Sequence, residues 1–335
     1  EIRPDAADIL AYFSEQNVTL KVISGDNQAT VAAIAERAGL AVIGEPIDAR
    51  DLPTDVDELA EAIERATVFG RVKPQQKQAM VRALQSRGHV VAMTGDGVND
   101  VLALKDADLG ISMGSGSEAT KAVADLVLTD DAFSSLPTVV NEGRKVINNV
   151  ERVSNLFVTK AAYAVVLTVA VALLNSPFPF LPRQLTLIGT FSIGVPGFFL
   201  ALAPEVDLVR AGFLSRVLRF SIPAGVIAGA ATLVAYEAAL HAGDLELAQA
   251  RTLATVTLLA IGLVVLTVAS RPLRVWKLGL VAAMAASYSV VLVVPWLRDY
   301  FRIELFWDPA WWFAMVSVGV GGAAIGAVAY VTAQP

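Results

Sequence analysis

The sequence predicts an α/β unit built on a parallel sheet, followed by an all-α membrane domain of six transmembrane helices. Three observations carry that reading. Short β-branched runs alternate with helical stretches through residues 1–135. Six apolar stretches, each near the ~20 residues that cross hydrocarbon, fill the rest. Charge divides the same way: residues 1–151 hold 24 acids and 14 bases, residues 152–335 hold 8 and 12. With 55% hydrophobic residues and a mean hydropathy of +0.58, the chain is too apolar for an ordinary soluble protein. It has no cysteine, hence no disulfide frame and no thiolate for a soft metal. The acidic first part argues against nucleic acid as a partner. The start, EIRPDAADIL, does not read as a signal peptide, because acids break its apolar stretches.

Val18–Ile23 reads as the first strand and ends in Ser24-Gly25-Asp26, after which Asn27 can cap a helix over Gln28–Ala38 that stops at Gly39. Ala66–Gly70 is a second strand, followed by a helix through Lys77–Ser86. Gly88–Met93 is a third strand and Asp108–Met113 a fourth, with a helix over Glu118–Ala124 after it. Strands separated by such helices form βαβ units. The insert Glu45–Leu59, rich in Pro and Asp, reads as a surface excursion.

After Asp130-Asp131 the pattern changes. Leu136–Ser154 is a polar, stalk-like helix that runs without a strong break into apolar sequence. The membrane domain then covers 155–335, with spans near 155–175, 181–203, 220–241, 251–270, 276–297 and 310–332. The linker 204–219 carries Arg210, Arg216 and Arg219, and 271–277 carries Arg271, Arg274 and Lys277. The alternate loops are short, acidic or mixed. The positive-inside rule puts those two linkers, the first domain and the C-terminus in the cytoplasm. Trp296, Trp307, Trp311 and Trp312 fit an aromatic belt at the other interface.

Chemistry gathers where ligands bind in parallel sheets, beyond the carboxyl ends of the strands. One strand delivers Ser24-Gly25-Asp26. Another delivers Thr94-Gly95-Asp96-Gly97, with Asn99 and Asp100 just beyond. The helix after a third carries Lys77 behind Arg71-Val72-Lys73-Pro74. A hydroxyl, a lysine and paired carboxylates suit magnesium-dependent phosphoryl transfer: carboxylates hold the hard cation, Lys77 neutralises phosphoryl oxygens, and glycines admit the bulky anion. Each group also has an ordinary reading: Lys77 as a solvated lysine, Ser24 as a helix cap, Asp96 as a turn former. Their convergence separates the two.

MTGDGVNDVLALKDADLGISMGSGSEATKAVADLVLTDD resembles the hinge region of P-type ATPases, cation pumps built on a haloacid-dehalogenase-like phosphorylation domain. SGDN at 24–27 and RVKPQQK at 71–77 resemble two further motifs of that family, in the right order. The polar helix resembles its stalk, and six spans match its C-terminal membrane half. The resemblance covers the whole chain. It implies that the first domain is the C-terminal part of a haloacid-dehalogenase-like fold, with ATP and Mg²⁺ as cofactors. Asp96 would bind the Mg²⁺ and Asp100 would support it. Ser24, Gly25, Lys77 and Asn99 would contact the phosphoryl group, Thr94 and Gly95 belong to the turn that admits it, and Asp26 would help position nucleotide or hold the domain closed.

The family's phosphorylated aspartate sits in a D-K-T-G motif, and neither that nor a T-G-E actuator loop occurs in these 335 residues. The resemblance therefore implies the C-terminal part of a longer pump, with actuator and nucleotide-binding domains upstream, in the plasma membrane. The IRPDA start resembles the family's D-x-x-R segment. The familiar carboxylate ligands of calcium and sodium pumps are absent, Ala161 and Ala164 standing in their place. Transport-path candidates are Thr159, Lys160, Gln184, Thr190 and Ser192, with Asn175 and carbonyls freed near Pro196, where the second span is expected to break. Lys160 reads either as an internal cation or as a snorkelling lysine. The cargo expected from the resemblance is calcium or another metal cation. A membrane-anchored phosphatase and a non-catalytic half-pump are the competing classes.

Overall fold

A computed structural model of the protein describes residues 5–204, 209, 212–241 and 245–333. The chain divides into two compact units, residues 1–141 and 142–335.

In the first unit, α1 (Ala6–Glu15) precedes β1 (Val22–Ile23), α2 (Gln28–Arg37), β2 (Ile47–Asp48), α3 (Val56–Arg65), β3 (Val68–Gly70) and α4 (Pro74–Ser86). Then come β4 (Ala92–Gly95), a 3₁₀ turn at Val98–Asp100, α5 (Val101–Asp106), β5 (Leu109–Met113), α6 (Glu118–Val123) and β6 (Leu126–Leu128). Side chains start these helices: Asn27 accepts from the Ala29 amide, Asp55 from those of Asp57 and Glu58, and Ser117 from that of Thr120. The strands form two parallel three-stranded sheets, ordered β1-β3-β2 and β4-β5-β6. β3 is central and wholly buried, so Val68 and Phe69 are apolar on both faces.

The insert is not a surface excursion. It supplies β2 as an edge strand and leads into α3, whose Leu59, Ala60 and Ile63 pack with Ala49, Phe69 and Met80 in one apolar cluster. Asp55 caps α3, while Ile47, Ala49, Leu52 and Leu59 face the cluster.

The second unit holds most of α7 (Leu136–Leu174), then α8 (Pro182–Gly189), a π-helical turn (Thr190–Gly194), α9 (Val195–Ala201), α10 (Phe213–His241), α11 (Leu247–Ala269), α12 (Val275–Val293), α13 (Pro295–Phe301) and α14 (Trp311–Ala333). Six helical stretches among the described residues are long and apolar enough to cross a membrane. The expected stalk and first span are one 39-residue helix, α7. The second span does not break at Pro196: the π turn, closed by Val195 N–H to Thr190 O, absorbs the missing donor and α9 continues. Arg216 and Arg219, expected in a linker, lie in α10, which starts at Phe213. Lys277 is fully buried in the first turn of α12, with Nζ donating to Pro272 O at 3.1 Å. The fifth span ends at Val293, where Pro295 opens α13. Arg210 and residues 2–4 of the IRPDA segment lie outside the described residues.

Small residues let these helices touch. A Cβ on Gly225 would lie 2.4 Å from Ala162 Cβ and one on Gly229 3.0 Å from Val166 Cβ, so the Gly-x-x-x-Gly stretch of α10 takes the backbone of α7 at close range.

Candidate functional site

In the first unit the three motif segments are joined bond by bond. Ser24 and Asp26 follow β1, and the Asp26 amide donates to Ser24 Oγ at 3.1 Å. The segment after β3 ties to that loop through two backbone bonds, Arg71 N–H to Asp26 O at 2.7 Å and Val72 N–H to Ser24 O at 3.0 Å. Pro74 then opens α4, which places Lys77 one turn in. Lys77 Nζ donates to Asp100 Oδ1 at 2.5 Å, and both side chains are nearly buried, 12% and 11% exposed. Gly95 sits at the end of β4 over this pair. A Cβ there would lie 2.5 Å from Asp100 Cβ and 2.7 Å from its Cγ, so a glycine is required.

Asp96 is exposed, and its backbone carbonyl accepts the Ser117 amide at 2.9 Å. No hydrogen bond or ion pair engages its carboxylate among the described residues. Thr94 is half-buried, and Gly25, Asp26 and Asn99 are exposed. An unengaged carboxylate four residues from one already neutralised by lysine suits the oxygen chemistry of a hard cation such as Mg²⁺.

The expected transport residues divide. Thr159 on α7 and Ser192 on the π turn, with Tyr163, Ala228, Leu258 and Gly262, line a cavity of about 20 Å³. That is room for about one water-sized particle. Thr159 Oγ1 donates to Asn155 O and Ser192 Oγ to Ile188 O, both at 2.6 Å. Each hydroxyl proton is thus used within its own helix, and the oxygen lone pairs remain as acceptors. The others are not in that cavity's wall. Gln184 is fully buried and engaged at both ends: its Oε1 accepts the Leu181 amide at 2.9 Å and its Nε2 donates to Arg302 O at 3.1 Å. Thr190 and Asn175 are exposed. Lys160 is exposed too, and a Cβ on Gly189 would lie 3.3 Å from its Nζ. Tyr163, Gly262 and the π turn complete the cavity. Nothing in the run Leu258–Leu266, apolar throughout except for Gly262, marks the Gly262 wall in the sequence.

Residues 1–108 match the haloacid dehalogenase-like hydrolase family. The calcium-transporting ATPase CtpE of Mycolicibacterium smegmatis is 49% identical over 90% of this chain and 40% of its own length. The chain belongs to the P-type ATPases. A probable cation-transporting ATPase of Streptococcus pneumoniae, exp7, is 35% identical over 90% of this chain and 40% of its own length. The calcium-transporting ATPase of Bacillus subtilis is 32% identical over 76% and 30%. The chain spans about two fifths of the length of CtpE. P-type ATPases and haloacid-dehalogenase-like hydrolases use ATP and Mg²⁺, and six candidate spans make this family member a multi-pass membrane protein.

Proposed function

We propose that this chain is the C-terminal part of an ATP-driven pump for calcium or a related metal cation, working through an aspartyl-phosphate whose aspartate lies outside these residues. The observation that carries the reading is the buried Lys77–Asp100 pair beside the unengaged Asp96 carboxylate, on the loops the family uses. The sheets support it. β1 and β4, the strands that carry the Ser24 and Asp96 loops, are each the edge of a separate sheet. Val90, just before β4, is 88% exposed. One parallel strand pairing with both would join the sheets and bring its own C-terminal residue between Ser24 and Asp96.

In this scheme a carboxylate oxygen on that strand attacks the γ-phosphorus of ATP, ADP leaves, and water later cleaves the acyl phosphate to inorganic phosphate. Lys77 and the Ser24–Gly25–Asp26 loop hold the phosphoryl oxygens, Asn99 and the Thr94–Gly95 turn flank them, and Asp96 with Asp100 would hold Mg²⁺, which spreads the transferred charge when bound. Cargo would pass the cavity of Thr159, Tyr163 and Ser192, whose lone pairs suit a cation. By the loop charges, the first unit and C-terminus face the cytoplasm across the plasma membrane.

The test is labelling with γ-labelled ATP and Mg²⁺. The full-length pump should take up acid-stable, hydroxylamine-sensitive label in a cation-dependent way, and this chain by itself should take up none. Label on the chain alone would favour an anchored phosphatase with its own nucleophile. No label on the full-length protein would leave a non-catalytic half-pump.

A further inference from the structure

Asp48 ends β2, inside the insert, and belongs to none of the three motif segments. Its side chain is 5% exposed, yet it takes four donors. Oδ1 accepts from the Arg50 amide and Arg50 Nε, both at 3.0 Å. Oδ2 accepts from Arg50 Nη2 at 2.7 Å and Arg71 Nη1 at 2.6 Å. The Arg50 guanidinium and amide, helped by Arg71, hold the Asp48 carboxyl far below the usual carboxylate range.

Arg71 is the residue that matters to the site. It adopts a left-handed conformation, φ 54°, which a residue with a Cβ rarely takes unless its surroundings impose it. That turn aims the Arg71 amide at Asp26 O and the next amide, of Val72, at Ser24 O. The left-handed turn therefore holds both carbonyls of the Ser24–Gly25–Asp26 loop, while its side chain is gripped by Asp48. The same edge steadies α4: Ala49 N–H donates to Gly70 O at 2.9 Å, and Gln76 Nε2 donates to Ala49 O at 2.6 Å, one residue from Lys77.

We propose that Asp48 is a positioning residue for the phosphoryl-binding loop, holding Ser24–Gly25–Asp26 through the left-handed turn at Arg71. It touches neither nucleotide nor phosphoryl group. Without its charge the Arg71 guanidinium loses its buried partner and the turn relaxes toward ordinary backbone. The two amides then swing off the loop, and small displacements of groups that must meet a phosphoryl group are costly. The inference rests on the phosphoryl-transfer reading above.

Phosphorylation of the full-length pump by inorganic phosphate reads this loop without nucleotide, and protection by ATP reads nucleotide binding. Asp48→Asn should lower the melting temperature somewhat, and, assayed well below it, should raise the half-saturating phosphate concentration about fivefold or more with ATP protection within about twofold. Arg71→Gly supplies a second arm, because glycine takes the left-handed turn without any grip on its side chain. In that background Asp48→Asn should have no further effect on phosphate. Ser24→Ala tests the underlying reading and should also raise half-saturation. If Ser24→Ala raises it and Asp48→Asn does not, the inference fails and the function stands. If neither raises it, the function fails. If Asp48→Asn shifts phosphate and ATP protection alike, or still acts in Arg71→Gly, Asp48 is a general structural residue and the inference is overturned.

Discussion

The two units treat polar groups in opposite ways. In the first, charges meet charges: Lys77 with Asp100, Arg71 and Arg50 with Asp48, Arg82 with Asp106. In the second, the polar groups of the cavity are hydroxyls whose protons are given to a carbonyl four residues back, as at Thr159 and Ser192. Thr232, Thr257 and Ser270 do the same. Water makes isolated charges cheap, so a site there can be assembled from ionised side chains drawn from several loops. Hydrocarbon makes every unsatisfied donor expensive, so these hydroxyls place their protons within their own helix and offer lone pairs instead. Specific chemistry is thus written in residue identity in one unit and in helix geometry in the other.

The largest expected effect tests the first half of that contrast. In the full-length pump, Asp96→Asn should cut phosphoenzyme formation by about 10³-fold, because one hard, charged oxygen donor leaves the metal site. A rate within tenfold of wild type, by rapid-quench labelling, would break the comparison. Lys77→Ala comes next, at about 2–4 kcal/mol of transition-state stabilisation. It also leaves Asp100 buried without its cation, so melting of the first unit should drop as well. Gly225→Leu, in the membrane unit, should cost about 1–3 kcal/mol through overpacking against Ala162, read as a lower melting temperature in detergent. The smallest effects sharpen the second half. Thr159→Val and Ser192→Ala each remove one lone-pair donor and should weaken apparent cation affinity about five- to tenfold in cation-stimulated ATPase assays, near the ~1 kcal/mol of a single hydrogen-bonding group. Lys160→Ala should stay within about twofold, since Lys160 is not among the residues that line the cavity. The reverse ranking would make Lys160 the internal cation.

Legibility followed the same divide. TGDGVND, SGDN and RVKPQQK could be read directly, because each pairs charged residues with glycine or proline at spacings a buried strand end requires. Asp48 could not. Its segment, GEPIDARDLPTD, is dominated by turn-forming residues, and the apolar positions that bury it are separated by acids that face water. The six spans were plain from hydropathy. The lining of the cavity was not, since Gly262 and Leu258 matter by where α11 crosses the π turn, a property of packing rather than of residue type. Nor could the sequence show that the Gln184 amide ties its own helix start at Leu181 to the Arg302 carbonyl, a pairing set by packing.

The π turn at Thr190–Gly194 behaves like a dislocation in a crystal. It is one surplus residue threaded into an otherwise regular lattice of hydrogen bonds, trapped next to a proline that cannot donate. The surplus residue advances the helix face by about 100° between Pro182 and Ala201, so the fault itself decides which side chains of this span, Ser192 among them, stand on the cavity wall.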